Sequence, residues 1–318
     1  MKPPAPEALY WHMSCGMEAD RLRRKNALFE GQIPPLMHYQ SVHQSRLWMD
    51  VARAYQPEGL DSFYRQVFAG AASLDPPDHL VGLGCGGGWK ERWLWESLPT
   101  KGAFTAIEVA PALAMDATAH LREVEGVEVR PPLIADLLTE DSLVDWLDQT
   151  GNRNERRWFT AFGLTPNTRP SLLQPALKRL LRSGDHLWIS ANLLPKGGVE
   201  AIRQEYENEL TRRWLVQVLI DWGVADQLSE IEFQTEGALE DGVQAHFKAI
   251  ARWKESSCFH WEGEMLRVRE RDALQVFETL RFTSEGFRAC VEGAGWEVCQ
   301  NWESFCGKEG VILAKFPT

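Results

Sequence analysis

His79-Leu-Val-Gly-Leu-Gly-Cys-Gly-Gly-Gly-Trp-Lys90 is a short apolar run closed by glycines and followed, from Glu91, by an amphipathic run. It reads as a buried strand, a tight turn and a helix N-terminus. Gly84, Gly86, Gly87 and Gly88 lack a Cβ, so the turn permits positive φ and lets a ligand approach the backbone, while the helix presents free N–H groups to it. Such a turn serves a dinucleotide, an S-adenosyl cofactor, or only its own packing.

Working outward, the downstream sequence alternates. Strands are expected at Leu80–Leu83, Phe104–Val109, Val127–Ile134, Trp158–Phe162 and His186–Leu193, with helices after Lys90 and at Ala112–Val124, Asp141–Asp148 and Ser171–Arg182. That pattern builds a parallel sheet covered by helices on both faces, with ligands at the carboxyl ends of the strands. Upstream, a Pro-rich start, the charged Glu18–Arg24 run and the Ile33-Pro34-Pro35 break predict a cover. Helices follow at His38–Tyr55 and Leu60–Ala72, ending at Asp75-Pro76-Pro77.

Past the alternation, a long helix is predicted over Val199–Asp221 and strands and turns over Ile231–Arg269. The chain then returns to the core with a helix start at Thr283, a strand at Trp296–Asn301, a Gly307-Lys-Glu-Gly310 turn and a strand at Val311–Phe316, an antiparallel hairpin at the sheet edge. The fold class is α/β, a Rossmann-like sheet with helices on both faces, a terminal hairpin and a smaller discontinuous α+β substrate domain. Residues 61–196 and 272–318 form the core, residues 1–60 and 197–271 the substrate domain.

The formal net charge of -11, with no Lys/Arg-rich block, argues against nucleic acid and anionic membrane and for a small-molecule substrate. Six scattered cysteines without a CxxC pair indicate neither a disulfide scaffold nor a metal site. Met1-Lys-Pro-Pro-Ala-Pro lacks an apolar leader core, and no window approaches the ~20 apolar residues of a membrane span. A cytoplasmic protein is expected.

Two further landmarks stand at successive strand ends. Glu108 lies about 20 residues beyond the turn, where a carboxylate takes two ribose hydroxyls. Asp136 ends the third strand, placed for an adenine amino group or, equally, as a helix N-cap. Lys90, at a helix start, points either into water or toward a carboxylate.

Leu83-Gly84-Cys85-Gly86 with Lys90 resembles the first motif of S-adenosylmethionine methyltransferases, in the form found in the histidine-specific methyltransferase family of ergothioneine biosynthesis. Ala106-Ile-Glu-Val-Ala110 is similar to its second motif, with Glu108 for Asp, and Ala135-Asp136-Leu137 to its Gly-Asp-Phe. Phe162-Gly-Leu-Thr-Pro-Asn167 resembles its substrate loop, and Glu205-Tyr206-Glu207-Asn208 its Ala-Tyr-Asp-Asp. The resemblance implies a class I methyltransferase fold and S-adenosyl-L-methionine held by Gly84, Gly86, Lys90, Glu108, Asp136 and Leu137. It places Tyr39, Tyr55, Gly163, Asn167 and Tyr206 at the substrate, with Tyr39, Asn167 and Tyr206 facing the reacting methyl.

One segment departs. Where the family has Gly-Glu-x-Ile-x-Thr-Glu-x-Ser, whose Glu and Ser read an imidazole, the ungapped register gives Arg269 and Arg271, and a one-residue shift gives Glu270. Guanidinium groups donate and cannot accept from a ring N–H. The expected function is therefore methyl transfer to an amine of a small amino-acid-like substrate, with Arg269 or Arg271 on an acidic or carbonyl group. L-histidine N-alpha-methylation, a nicotinamide-linked oxidoreductase and a non-catalytic family member are the alternatives.

Overall fold

The structure is a computed structural model that describes residues 10–11, 15–54, 59–151, 154–239 and 242–317. In chain order, β1 (Tyr10–Trp11) and α1 (Met17–Glu30) precede α2 (Val42–Ala54) and α3 (Leu60–Ala69). The alternating part contains β2 (His79–Leu83), α4 (Trp89–Ser97), β3 (Ala103–Glu108), α5 (Pro111–Arg122), β4 (Glu128–Val129), β5 (Leu133–Ile134), α6 (Leu143–Thr150), β6 (Arg157–Ala161), α7 (Pro170–Leu180) and β7 (His186–Asn192). Next come α8 (Gly198–Tyr206), α9 (Glu209–Asp221), β8 (Glu232–Glu236), β9 (Val243–Arg252), β10 (Ser257–Trp261), β11 (Glu264–Val268) and β12 (Ala273–Phe282). The described chain closes with α10 (Ser284–Gly293), β13 (Glu297–Glu303) and β14 (Glu309–Lys315).

The main sheet runs β1-β5-β3-β2-β6-β7-β14-β13, with β4 also on β3. Its strands are parallel except β14, which is antiparallel to both β7 and β13. This is the Rossmann-like order with the expected terminal hairpin. All five residues of β2 are buried because both faces are covered. Val81 and Leu83 join Leu143, Leu147, Leu173, Leu177 and Phe287 on one side; Leu80 joins Tyr64, Phe68, Leu94, Trp95 and Leu121 on the other. From β2 the chain winds one way through β3 and β5, then returns to β6 and β7 on the opposite side. The ligand crevice of such a sheet opens at that reversal.

A second core gathers Leu28, Met37, Leu47, Ile202, Trp214, Leu215, Phe247, Leu274 and Phe277. Its frame is the antiparallel sheet β12-β9-β8 with the separate hairpin β10-β11. β12 extends to Phe282, nine of its ten residues paired along β9, and bridges to the main sheet through Leu193.

Two elements differ from expectation. The long helix is two helices, because Asn208 caps α9 by accepting from the Thr211 amide (2.9 Å) while α8 closes at Tyr206. An Asn that satisfies an orphan N–H at a new helix start outcompetes continuation through the same residues. The Val127–Ile134 strand is two short strands, because Pro131 and Pro132 have no N–H to donate to a ladder.

Candidate active site

After β2 the chain reverses through Gly84, Gly86 and Gly88, at φ +55°, +56° and +70°. A Cβ on Gly84 would lie 2.4 Å from Leu164 Cδ2, one on Gly86 2.9 Å from Trp48 Cη2, and one on Gly88 2.8 Å from Ala117 Cα. Glycine is therefore required here both by backbone angle and by space. Leu164, from the loop after β6, and Trp48, on α2, press directly on the turn.

Glu108 folds back against it. Its Oε2 accepts from the Gly86 amide (3.1 Å) and its Oε1 from the Val109 (2.8 Å) and Ala110 (3.4 Å) amides. Burial pushes its carboxyl above the usual range, while those amides pull the other way. A carboxylate offers about four lone-pair sites, so these three bonds leave about one, on Oε2, for a ribose hydroxyl.

Asp136 is also buried. Its Oδ1 accepts from the Leu138 amide (3.0 Å), and its Oδ2 meets Arg23 of α1 at 2.9 Å, an arginine that also holds Asp20 at 3.0 Å. Leu137 packs against the core beneath. Lys90 pairs with Glu309 at 3.3 Å and lies over the rings of Tyr64 (4.4 Å) and Phe162 (5.6 Å). The positive-φ turn and an acid at the next strand end fit an S-adenosyl cofactor, and Gly84, Gly86, Glu108 and Asp136 could hold it.

The opposite wall comes from the second core. Tyr39 follows a 3-10 turn, Pro35–His38, anchored by His38, whose Nε2 lies 2.7 Å from the Val276 carbonyl. Burial lowers the His38 pKa to about 4, so the ring is neutral at pH 7 and donates that bond. The Tyr39 ring meets Trp48 edge-on at 5.7 Å and Trp214 at 5.9 Å. Its phenol pKa is driven far above the ordinary value, first by burial and then by the nearby Glu108 and Tyr206.

Tyr206 packs on Phe247 (5.1 Å) and Phe277 (6.1 Å), and its hydroxyl accepts from Arg281 at 3.3 Å. Gly163, at φ +86°, donates its amide to Ser190 Oγ (3.3 Å), and the Asn167 side chain turns back to the Gly163 carbonyl (3.5 Å). The same loop reaches β12, where the Leu280 amide donates to the Pro166 carbonyl (2.6 Å). Tyr39 thus lies near Glu108 and Tyr206, and the Gly163–Asn167 loop reaches β12 at Leu280, next to the Arg281 that holds Tyr206; Tyr55 lies outside the described residues.

Arg269 and Arg271 do not join them. They occupy the turn before β12, with Arg271 85 % exposed and at φ +67°, beside an exposed Glu270. With Arg252 and Lys254, Glu270 and Arg271 line an open cleft of about 560 Å³. Strand residues 273–277 separate this turn from Phe277, the residue of β12 nearest the turn that packs on Tyr206, a span on the order of 20 Å. Neither register through Arg269–Arg271 therefore reaches the acceptor wall, because the whole segment is hairpin and turn.

Sequence reading missed Arg23, Asn192, Arg281 and Glu309. Arg281, 3 % exposed, shares the face of β12 with Thr279, to which it donates at 3.0 Å. The detectable signal was a lone cation in Leu280-Arg281-Phe282. With its amide oriented to satisfy both neighbours, Asn192 donates to Glu309 (3.2 Å) and accepts from Arg281 (3.2 Å). Among the described residues no group of three His, Cys, Asp or Glu side chains could hold a metal ion, and no helix is long and apolar enough to cross a membrane.

No curated protein sequence matches the chain. Among solved structures it is similar to an S-adenosylmethionine-dependent methyltransferase from Clostridium acetobutylicum, with 12% identity, TM-score 0.45, 86% of this chain and 98% of that one covered. Another is human N-acetylserotonin methyltransferase in complex with S-adenosylmethionine, with 11% identity, TM-score 0.44, 96% of this chain and 69% of that one covered. The family model described as histidine-specific, S-adenosylmethionine-dependent methyltransferase matches residues 64–315. The chain belongs to that family of S-adenosylmethionine-dependent methyltransferases.

Proposed function

We propose that the protein transfers a methyl group to the amine of a small amino-acid-like substrate. The cofactor would lie across Gly84, Gly86, Lys90, Glu108, Asp136 and Leu137, and the acceptor among Tyr39, Gly163, Asn167 and Tyr206. The observation that carries this reading is the position of Tyr39, close to both Glu108 and Tyr206 and ringed by Trp48 and Trp214. One side chain thus links the strand-end acid to the wall built by the second core.

When bound, S-adenosylmethionine supplies an electrophilic methyl on a sulfonium. The chain's own part is alignment and exclusion of water, which suffices for an in-line displacement. Tyr39 stays protonated at neutral pH, since burial and two neighbouring groups oppose its ionisation. It therefore orients the acceptor by hydrogen bonding and does not serve as a base. Trp48 and Leu164 press on the turn, and an amine desolvated beside the sulfonium would lose its proton more readily than in water.

The units of this machine would be a core of residues 61–196 and 283–318 and a closing unit of residues 1–60 and 197–282. The pairing of β12 with β9 supports moving the boundary from after Arg271, as the sequence suggests, to after Phe282. Histidine is the first acceptor to test, because the family description names it and the arginines that argued against it stand elsewhere. The test is incubation with methyl-labelled S-adenosylmethionine and the free amino acids, locating the label by NMR. Label on an amino-acid nitrogen is expected; label only on oxygen, carbon or sulfur would overturn the reading.

A further inference from the structure

Arg281 is buried at the carboxyl end of the sheet without a close carboxylate. Its Nη1 donates to Thr279 Oγ1 and to the Leu280 carbonyl, both at 3.0 Å, and its Nη2 to the Tyr206 hydroxyl at 3.3 Å. The ion pair recorded for it among the described residues, to Glu205, spans 3.9 Å, and Glu205 is held more tightly by Lys308 at 2.6 Å. Glu309 is engaged by Lys90 at 3.3 Å and by the Tyr64 hydroxyl. The chain of contacts Lys90, Glu309, Asn192, Arg281, Glu205, Lys308 therefore carries three cations and two carboxylates.

A guanidinium taken out of water and answered mainly by neutral oxygens is an expensive arrangement, and burial of such a charge is favoured when an anion completes it. The planar fork is the side chain best matched to a carboxylate in two-point contact. Its position favours the acceptor as the molecule that brings that anion. Arg281 touches Tyr206 and, through Asn192, the end of β7, whereas Lys90 stands at the first turn of α4, next to the glycine turn. Thr279 and Phe277 lie on the same strand, both buried, with Phe277 against the Tyr206 ring.

We infer that Arg281 is the specificity-determining residue of the acceptor site and binds a carboxylate of the acceptor, held between the Tyr206 hydroxyl and Asn192. The inference rests on the amine-acceptor reading above and narrows it to amines that carry a free acid. The carboxylate of the cofactor is the other source of the same chemistry, and the experiment separates the two.

Amino acids, each as the free acid and as the carboxamide, are titrated calorimetrically into the complex with adenosylhomocysteine, using wild type, Arg281→Gln and Arg281→Lys. Adenosylhomocysteine affinity is measured first in each variant and also reports that the variant is folded. Wild type should bind at least one acid about 30-fold or more tightly than its amide. Arg281→Gln should erase that preference while shifting adenosylhomocysteine affinity less than about threefold, and Arg281→Lys should restore part of it. Equal binding of acid and amide, no binding of either, or an unchanged preference in Arg281→Gln would overturn the assignment. Arg281→Gln that remains folded by circular dichroism but loses adenosylhomocysteine would give the anion to the cofactor instead. Turnover enters none of these outcomes, so a failure of methyl transfer to nitrogen leaves the Arg281 result readable.

Discussion

On the proposed cofactor side of the cleft Glu108 is fixed by main chain, the amides of Gly86, Val109 and Ala110. On the proposed acceptor side the contacts come from long side chains that hold or pack on one another, Arg281 on Tyr206 and Thr279, and Tyr39 between Trp48 and Trp214. A backbone site is set by local sequence, since a glycine at each positive φ and a strand end specify it almost alone. A side-chain site is set by tertiary packing, so its members can be exchanged without disturbing the turn.

The largest expected effect falls on the backbone side. Glu108→Ala removes the acid that would take a ribose hydroxyl, and one charge-assisted bond of about 1.5–3 kcal/mol implies adenosylhomocysteine binding weaker by roughly ten- to a hundredfold. Calorimetry decides it, and an unchanged Kd would remove Glu108 from the cofactor wall.

Glu91 sharpens the comparison, because it is a second buried acid beside the same turn with a single side-chain donor, Thr160 Oγ1 at 2.8 Å. Burial raises its pKa to about 7 against 4.5 when exposed. Between these values the folded state binds a proton that the unfolded chain does not, so the Glu91 contribution falls as pH rises from about 4.5 to 7, by about 3 kcal/mol. Urea unfolding at several pH values should show that slope in wild type and lose it in Glu91→Gln; parallel profiles would contradict it.

Gly88→Ala tests the turn itself. At φ +70°, with a Cβ 2.8 Å from Ala117 Cα, it should cost about 2 kcal/mol of stability, read as a lower urea midpoint. A midpoint unchanged from wild type would mean the α4–α5 contact gives way more easily than close packing allows.

What could be read from sequence follows the same division. Gly84, Glu108 and Asp136 are legible because each stands at the end of an apolar strand, where neighbours in sequence fix the position. Arg281 was not, because an isolated arginine in Leu280-Arg281-Phe282 reads like any solvated face until the partner strand and Tyr206 are in place. Arg269 and Arg271 stand apart from Tyr206 because the ungapped register that pointed to them runs through a hairpin and turn, whose lengths no periodicity constrains. The Arg23–Asp136 pair joins residues far apart in the chain, and neither residue signals the other locally. The helix break at Asn208 was not read, because the apolar spacing continues on either side of it.

The division of labour between the two walls is tested most directly by adenosylhomocysteine affinity in Tyr39→Phe/Tyr206→Phe, measured alongside methyl transfer to the acceptor found for wild type. If acceptor contacts are separate from cofactor contacts, Kd stays within about threefold of wild type while kcat/KM falls at least about tenfold, the loss of roughly one hydrogen bond per hydroxyl. A loss of adenosylhomocysteine affinity as large as that of Glu108→Ala would show that both walls grip the cofactor and would contradict the account.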